Sequence, residues 1–180
     1  TLNSNATGPI VSNLQQNLDG GIDQKLAAYL GWTALVRGQA LGDPGPWDYK
    51  LDILDATDQN QNIALAGDWY NFDVPANINY GYAGAAIGFS ESTLLFAGGA
   101  AQILDNVIAP LVKSKAPNWS ALGPPENFFD DPADATAIRA GIALWAQAGR
   151  QGLPVTEEAL RQVLTDPKFA SDLNKGVPQP

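Results

Sequence analysis

The sequence predicts a single, mainly α-helical domain that holds at most a small β-ribbon. A chain of 180 residues is the usual size of one domain, and hydrophobic residues, at 45%, are numerous enough to fill one core. Apolar residues recur at helical spacing in several stretches, whereas strand-like alternation is confined to short runs. We therefore expect one domain over residues 1–180, with loose termini at about 1–8 and 176–180.

Two helices are predicted before residue 40. Pro9 suits the first position of a short helix that ends at Gly20-Gly21, and a second helix runs from about Asp23 to near Gly38. Apolar residues follow one side of this second helix, namely Leu26, Leu30 and Ala34, with Tyr29, Trp32 and Val36 beside them. We expect both helices to pack against the helix that follows Glu91.

Strand-like alternation begins after residues 42–48, whose prolines and glycines force turns. The run 47–54 alternates polar and apolar residues, and the run 69–74 is rich in strand formers. The polar residues 55–62 separate the two runs as a turn. These runs are the candidates for a small ribbon.

The longest predicted helix runs from Ser90 to about Val112. Gly98-Gly99 interrupts its apolar face at a cost of about 1 kcal/mol per glycine relative to alanine, which indicates close backbone packing of another helix. Pro110 is expected to kink or end the helix. We expect Leu104, and Trp145 from a later helix, to be buried against this central element.

Capping residues mark the later helices. Asp131 followed by Pro132 has the pattern of an N-cap with proline at the first helical position. Thr156 is placed to cap a helix over 157–165, and Asp166-Pro167 starts a last turn or two. With the earlier elements, four or five helices are expected.

The stretch 76–104 joins an aromatic, glycine-rich half to an apolar, helical half, and Glu91 stands at the junction. Three glycines between 81 and 88 mark the first half as a loop. A carboxyl group that such a loop partly buries keeps its proton more readily, as a general acid must. The alternative is an ordinary first-turn acid, favoured by the helix dipole and preceded by Ser90 as N-cap.

Composition excludes several kinds of chemistry. The chain has no cysteine, methionine or histidine, which removes thiol chemistry, the usual zinc sites and the histidine base of most triads and many nucleases. The formal net charge of −9 repels phosphate backbones, so nucleic-acid binding is not expected. No apolar run reaches about 18 residues, so no membrane span is expected. We expect neither a metal nor a cofactor.

Carboxylates and aromatic residues remain as the candidates for chemistry. Asp48, Asp68, Glu91 and Asp131 lie beside aromatic residues or at turns. Two carboxyl groups in an aromatic cleft suit glycoside hydrolysis, in which one protonates the leaving oxygen and the other activates water or stabilises the cationic sugar. The alternative is that the aspartates only cap turns and helices, and that the aromatic residues only fill the core.

Three motifs, in the same order, resemble the signature of bacterial polymorphic toxin type 44 domains. They are Trp47-Asp48-Tyr49-Lys50, the stretch from Asn77-Ile78-Asn79-Tyr80-Gly81-Tyr82 to Gly88-Phe89-Ser90-Glu91, and Asp130-Asp131-Pro132 with the helix that leads to Trp145. The chain departs from that signature at two histidines, whose places Tyr49 and Asn79 take. It is also similar to secreted fungal muramidases related to that domain.

The resemblance implies a lysozyme-like catalytic domain that cleaves the glycan strands of bacterial peptidoglycan. Glu91, at a helix end, would be the general acid, and Asp131 or Asp48 the second carboxylate. The residues expected to bind the sugar are Asn77, Asn79, Tyr80, Tyr82, Tyr49 and Trp47. The alternatives are a non-catalytic cell-wall or glycan-binding domain, and a toxin-type nuclease that would lack its usual histidine base.

Two glycosylation sequons, at Asn5 and Asn118, favour a secreted glycoprotein. The polar, mature-looking N-terminus points the same way. We expect an extracellular monomer whose partner is peptidoglycan, with neither a nucleic acid nor a membrane as partner.

Overall fold

The computed structural model describes residues 53–55, 57, 60–173 and 175–176. Both helices predicted before residue 40 lie outside this part of the chain, as do the turns at 42–48 and most of the run 47–54. Ile53 and Leu54, at the end of that run, are helical rather than extended.

The described chain is mainly α-helical, as predicted. Its elements are the strands β1 (Asn62–Leu65) and β2 (Asp68–Asn71) and the helices α1 (Asp73–Ile87), α2 (Glu91–Ile103), α3 (Ala109–Val112), α4 (Pro132–Gln147), α5 (Glu157–Thr165) and α6 (Pro167–Ala170). A π-helical segment, Leu104–Ile108, joins α2 to α3. Short 3-10 turns lie at Trp119–Ala121, Pro125–Asn127 and Gly149–Gln151.

The two strands form an antiparallel hairpin. Ala66 and Gly67 make its two-residue turn and both have positive φ, as tight hairpin turns require. The partner of β2 is therefore the segment 62–65, not the run 47–54. The predicted strand 69–74 ends at Asn71, because α1 begins at Asp73.

Helices α1 and α4 form the centre of the fold. Gly81 of α1 lies against the backbone of Ile138, and Gly141 of α4 lies against the backbone of Ile78. Residues 76–88 are therefore not the glycine-rich loop that the sequence analysis predicted. Their glycines allow a close helix crossing, and only Gly88 takes a left-handed conformation, as the C-cap of α1.

Two clusters of apolar side chains flank this crossing. The larger one joins the hairpin, α1, α4, α5 and α6, and its largest fully buried members are Leu65, Tyr70, Ile78, Tyr82, Leu144, Leu160 and Leu164. The smaller one joins α2 to the first half of α4 through Leu94, Leu95, Ala135 and Ile138. The second cluster positions the beginning of α2, where Glu91 lies.

The stretch from α2 to α3 is helical from Glu91 to Val112, as predicted, but it changes type on the way. Pro110 has no N–H to donate to the carbonyl oxygen of Asn106, four residues earlier. Instead, the backbone N–H of Asn118 donates a hydrogen bond to that oxygen, at 2.7 Å. The π-helical segment lies directly before the proline.

Gly98 and Gly99 both lie against the turn at 128–130, and the close contact with another helix that we expected is found only at Gly98, which also lies against the side chain of Ile138 in α4. A Cβ at position 99 would overlap the carbonyl group of Phe128, and one at position 98 would stand 2.6 Å from Oδ2 of Asp130. The expectation that Leu104 and Trp145 are buried against α2 is wrong, since both are only partly buried. Trp145 packs edge to face on Tyr82 of α1, with ring centroids 5.5 Å apart, and not on α2.

The predicted caps are confirmed. Asp131, Thr156 and Asp166 are the N-caps of α4, α5 and α6, and each side chain accepts a hydrogen bond from a backbone N–H two or three residues later. Beyond α6 the chain returns to the hairpin, where Lys175 forms a β-bridge with Tyr70 and the N–H of Gly176 donates to Trp69. Residue 176 is therefore tied to the fold.

Candidate functional site

Glu91 is the first residue of α2 and lies on the surface. Ser90 caps the helix by accepting a hydrogen bond from the N–H of Thr93 at 3.2 Å. The Glu91 side chain is 54% exposed. The expectation that an aromatic loop buries it is wrong, because residues 76–88 form a helix and do not fold over the carboxyl group.

Arg139 of α4 holds the Glu91 side chain in place. Its Nε donates to Oε1 of Glu91 at 3.0 Å, and its Nη2 donates to Oδ1 of Asn127 at 3.0 Å. Asn127 is buried, while the Arg139 side chain is 27% exposed. A guanidinium that is fixed at two of its nitrogens has little freedom to rotate, so the direction of the Glu91 carboxylate is set by α4 and by the turn that holds Asn127.

That turn continues into a second, buried acid. The carbonyl oxygen of Asn127 accepts from the N–H of Asp130 at 3.1 Å, and Oδ1 of Asp130 accepts from the N–H of Asp131 at 3.0 Å. Asp130 is buried, and its carboxyl group rests on Gly98 of α2. Glu91, Arg139, Asn127 and Asp130 are called the Glu91 cluster below.

The turn is strained where it reaches the cluster. Phe128 and Phe129 have φ of 55° and 70°, a conformation that residues with a bulky side chain rarely adopt. Such a residue costs on the order of 1–3 kcal/mol, and strained residues collect at functional sites. Gly99 and Gly123 lie directly against the backbone of this turn, which leaves it no room to relax.

Asp131, which we expected to be a catalytic carboxylate, lies at the surface at the start of α4. Its side chain is exposed, and Oδ1 accepts from the N–H of Ala133 at 2.8 Å, so the carboxylate is used as the N-cap of α4. Of the two adjacent aspartates, the buried one is Asp130. Asp48, together with Trp47 and Tyr49, lies outside the described residues.

Helix α1 places the four expected sugar-binding residues on two different sides. Successive residues of a helix are about 100° apart, so Asn77 and Tyr80 share one side and Asn79 and Tyr82 share another. The hydroxyl group of Tyr80 donates to the carbonyl oxygen of Leu94 at 3.2 Å, which directs its side towards α2. The four residues do not line a single cleft.

Tyr82 and Asn79 belong to the interior. Tyr82 is fully buried, its hydroxyl group has no hydrogen-bond partner among the described residues, and burial raises its pKa above the ordinary value of 10.0. Asn79 is buried as well, and Oδ1 has no partner in the same part of the chain. Neither side chain presents a surface on which a sugar can rest.

Aromatic rings that are open to solvent lie beside the Glu91 cluster instead. Phe129, in the strained turn, and Phe96, on α2, are both exposed. The ring of Phe96 meets that of Phe128 edge to face, with centroids 6.0 Å apart. Sequence analysis selected neither ring, nor Arg139 or Asn127. A charged residue inside the apolar stripe Ile138–Ile142 was the one local signal for Arg139.

The structure does not test the two predicted glycosylation sites, Asn118 and Asn5. Asn118 is exposed, and its Oδ1 accepts from the hydroxyl group of Ser120 at 2.8 Å, so glycosylation there remains a prediction. Asn5 lies outside the described residues. Within them, no group of three or more aspartates and glutamates is placed to hold a metal ion.

A sequence model of the family named bacterial toxin 44 matches residues 38–147, which is more than half of the chain. The chain belongs to the bacterial toxin 44 family. All of the Glu91 cluster lies inside the matched range, whereas α5, α6 and the C-terminal segment lie beyond it. The toxin 44 region therefore contains both helices of the central crossing and the whole candidate site.

No curated protein and no solved structure matched the chain. The similarity to fungal muramidases and the lysozyme-like form of the fold therefore stay predictions. The toxin 44 family is a family of toxin domains, and a hydrolase-like role is compatible with it.

Proposed function

We propose that this toxin 44 domain is a muramidase that hydrolyses the glycan strands of bacterial peptidoglycan at the Glu91 cluster. The observation that supports this most is the exposed carboxylate of Glu91, held by an arginine that is itself fixed on a buried asparagine. An oriented, solvent-accessible carboxylate beside exposed aromatic rings supplies one of the two carboxyl groups, and the apolar surface, that a glycosidase site needs.

The ion pair between Arg139 and Glu91 indicates which role Glu91 can have in the reaction. A carboxylate that accepts from a guanidinium is suited to activate water or to stabilise a positively charged sugar. The general-acid role expected from the sequence needs a protonated carboxyl group, and a proton on Glu91 would remove the ion pair with Arg139. We infer that Glu91 acts as an acid only after a bound sugar has displaced it from Arg139.

The second carboxylate comes from Asp131 or Asp48 in this proposal, as the sequence analysis expected. Asp131 is exposed at the start of α4, two turns before Arg139 on the same helix. Asp130 is too deeply buried to touch a sugar, so its part is to hold the turn that carries Phe128 and Phe129 against α2. The exposed ring of Phe129 offers an apolar face on which a pyranose can pack.

A nuclease is the weaker proposal for a member of this family of toxins. With a net charge of −9 and no histidine, the chain lacks both the electrostatic attraction for a phosphate backbone and the most frequent general base. We propose peptidoglycan as the partner, with neither a nucleic acid nor a membrane. We further propose that the protein is secreted and acts outside the cell as a monomer.

A single assay separates these functions. The protein is incubated with purified bacterial peptidoglycan and, in parallel, with RNA and DNA, and the soluble products are identified by mass spectrometry. We expect muropeptides with a new reducing end and intact nucleic acid. Binding to peptidoglycan without product would favour the glycan-binding domain, and cleaved RNA or DNA would favour the nuclease.

A further inference from the structure

The guanidinium of Arg139 has more hydrogen-bond donors than the Glu91 cluster uses. A guanidinium carries five N–H donors in one plane. The donor on Nε is bound to Oε1 of Glu91, and one of the two donors on Nη2 is bound to Oδ1 of Asn127, both at 3.0 Å. Five less these two leaves three, including both donors of Nη1, and these have no partner among the described residues. Nη1 is therefore available to a ligand.

Nη1 of Arg139 is also within reach of solvent. The Arg139 side chain is 27% exposed, and Nη1 does not belong to the buried polar atoms that lack a partner in the described part of the chain. A nitrogen that has no protein partner and is not buried faces water. Because the buried Asn127 fixes the guanidinium, a ligand that approaches Nη1 meets donors whose direction is already set.

Folding stability alone does not explain an arginine at position 139 of α4. Residues 135–138 and 140–141 are buried on both sides of it, and it is the one charged residue between 135 and 147. A partly exposed ion pair contributes little to folding, whereas an apolar side chain here would extend the buried stripe. A role in binding accounts for the arginine better than stability does.

We propose that Nη1 of Arg139 binds a carboxylate of the substrate, so that the Glu91 cluster acts on glycans that carry carboxylate groups. This inference rests on the proposed muramidase function and names the substrate chemistry of the same site. Guanidinium groups bind carboxylates well because the hydrogen bonds are charge-assisted. Peptidoglycan carries carboxylates on the lactyl ether of each muramic acid unit that has lost its peptide, and on the peptides elsewhere. Chitin shares the N-acetylglucosamine of the backbone but has no carboxylate.

The same contact explains how a bound sugar displaces Glu91 from Arg139. A substrate carboxylate on Nη1 and the Glu91 carboxylate on Nε share one positive charge, and the two anions repel each other. Binding of the substrate therefore weakens the hold of Arg139 on Glu91, whose side chain is 54% exposed and is not locked in place by packing. A neutral glycan lacks the competing anion and leaves Glu91 paired. Arg139 thus selects the substrate as well as positioning Glu91.

A carboxylate suits this position better than a phosphate does. Arginine binds both anions, but a phosphate backbone brings a dense row of charges to a chain whose net charge is −9. A glycan strand with one lactyl group on every second sugar has a lower charge density. The electrostatic repulsion between ligand and protein is therefore smaller for the glycan.

Hydrolysis of matched glycans by the full chain tests the inference. The substrates are peptide-free and peptide-bearing strands of peptidoglycan, each either intact or with its carboxylates converted to carboxamides. Amidation removes the negative charge but nearly keeps the size of the group. We expect it to lower kcat/KM about tenfold or more for at least one of the two strand types. The strand type that responds shows whether the carboxylate is on the lactyl group or on the peptide.

Variants assign this preference to Arg139. Arg139→Gln should lower kcat/KM for every glycan and remove the preference for intact strands, whereas Arg150→Gln, at an exposed arginine, should keep it. Because Arg139→Gln should react slowly, binding of short soluble fragments is also measured by calorimetry in the Glu91→Gln variant, which should leave the glycan uncleaved. Intact fragments should bind about tenfold more tightly than amidated ones, and adding Arg139→Gln should abolish that difference.

The results that contradict this inference differ from those that contradict the proposed function. Equal kcat/KM for intact and amidated strands of both types would overturn the inference and leave the muramidase proposal standing. A preference that persists in Arg139→Gln would also overturn it, because the carboxylate would then bind elsewhere. Tighter binding of intact fragments that depends on Arg139, with no strand cleaved, would support the carboxylate site and contradict the muramidase.

Two further results would count against the carboxylate site. Loss of both cleavage and the difference in binding between intact and amidated fragments would overturn this inference together with the proposed function. An RNA oligonucleotide that binds more tightly than the intact fragments, and loses that affinity in Arg139→Gln, would mean that the site takes a phosphate.

Discussion

The backbone of Gly81 in α1 lies directly against the carbonyl oxygen of Ile138 in α4. Gly141 lies against the carbonyl oxygen of Ile78 in the same way, so each helix contributes one glycine to the crossing. Ile138 precedes Arg139, whose side chain holds Glu91. The closeness of the two helices therefore determines where the guanidinium meets the carboxylate.

Gly81→Ala is expected to destabilise the protein although alanine is the better helix former. The intrinsic gain is about 1 kcal/mol, but the added Cβ would overlap the Ile138 carbonyl group, which is backbone and cannot rotate away. Overpacking typically costs about 1–3 kcal/mol, and a clash with backbone should lie at the upper end of that range, so we expect a net loss of about 1–2 kcal/mol. Urea unfolding measures it, and an equal or higher free energy of unfolding would contradict the described crossing.

Tyr82→Phe is expected to leave stability unchanged or to raise it by about 1 kcal/mol. The hydroxyl group of Tyr82 is buried without a partner among the described residues, so its removal relieves a desolvation cost. Activity on peptidoglycan should stay the same because the ring is in the core. A large loss of affinity for the substrate, with stability intact, would mean that Tyr82 binds the sugar after all.

The contact between the C-terminal segment and the hairpin should depend on pH at both extremes. The hydrogen bond from Lys175, and then that from the Trp69 N–H, lowers the pKa of Asp68 below its ordinary 3.8. Burial alone would lower the pKa of Lys175, but its hydrogen bonds to Asp68 and Tyr70 outweigh burial and raise that pKa above 10.5.

The stabilising effect of this ion pair follows from those directions. The contribution of Asp68 to the free energy of unfolding is fully present above pH 3.8 and is lost as the pH falls through its lowered pKa. The contribution of Lys175 is fully present below pH 10.5 and is lost as the pH rises through its raised pKa. Both groups are largely exposed, so Lys175→Ala should cost at most about 1 kcal/mol. The difference from the unmodified protein, measured by urea unfolding, should be level near neutrality and shrink at both ends. A difference that grows towards low pH would contradict this pairing.

Local signals in the sequence determined the helix starts but not the helix crossing. Asp131, Thr156 and Asp166 mark the beginnings of α4, α5 and α6 because a cap acts on backbone N–H groups only two or three residues away. Gly81 and Gly84 looked like loop residues because a glycine at a close helix contact and a glycine in a turn have the same local pattern. The contacts of Gly81 with Ile138 and of Gly84 with Leu94 distinguish the two, and they depend on tertiary packing.

For the candidate site, too, the sequence predicted the residue with a local signal but not its distant partners. Glu91 was recognisable as an acid at a helix start, but its partner Arg139 is 48 residues away and stands in an apolar stripe. The sequence marked Asp131 as the cap of α4, but the inward position of Asp130 on Gly98 needed the structure, since it depends on tertiary packing and not on the local pattern.

Arg139→Gln is expected to lower the rate of peptidoglycan hydrolysis about 10- to 100-fold while changing stability little. The ion pair with Glu91 is partly exposed and should contribute only about 0.2–1 kcal/mol to folding. Without Arg139, however, nothing holds the Glu91 carboxylate in position for the arriving sugar that displaces it. The matched control is Arg150→Gln, at an exposed arginine just beyond α4. Equal rates for both variants would mean that Arg139 does not position Glu91.

The most direct test of the proposed function compares Glu91→Gln with Glu157→Gln. Each glutamate is the first residue of a helix and forms an ion pair with an arginine, at 3.0 Å for Glu91 and 3.2 Å for Glu157, so both variants lose the same helix-dipole and surface charge interactions. The measurement is the initial rate at which reducing ends are released from purified peptidoglycan. We predict that Glu91→Gln lowers this rate by at least about 100-fold and that Glu157→Gln changes it by less than about twofold. A Glu91→Gln variant that keeps the rate of the unmodified protein would contradict the assignment of the active site to the Glu91 cluster.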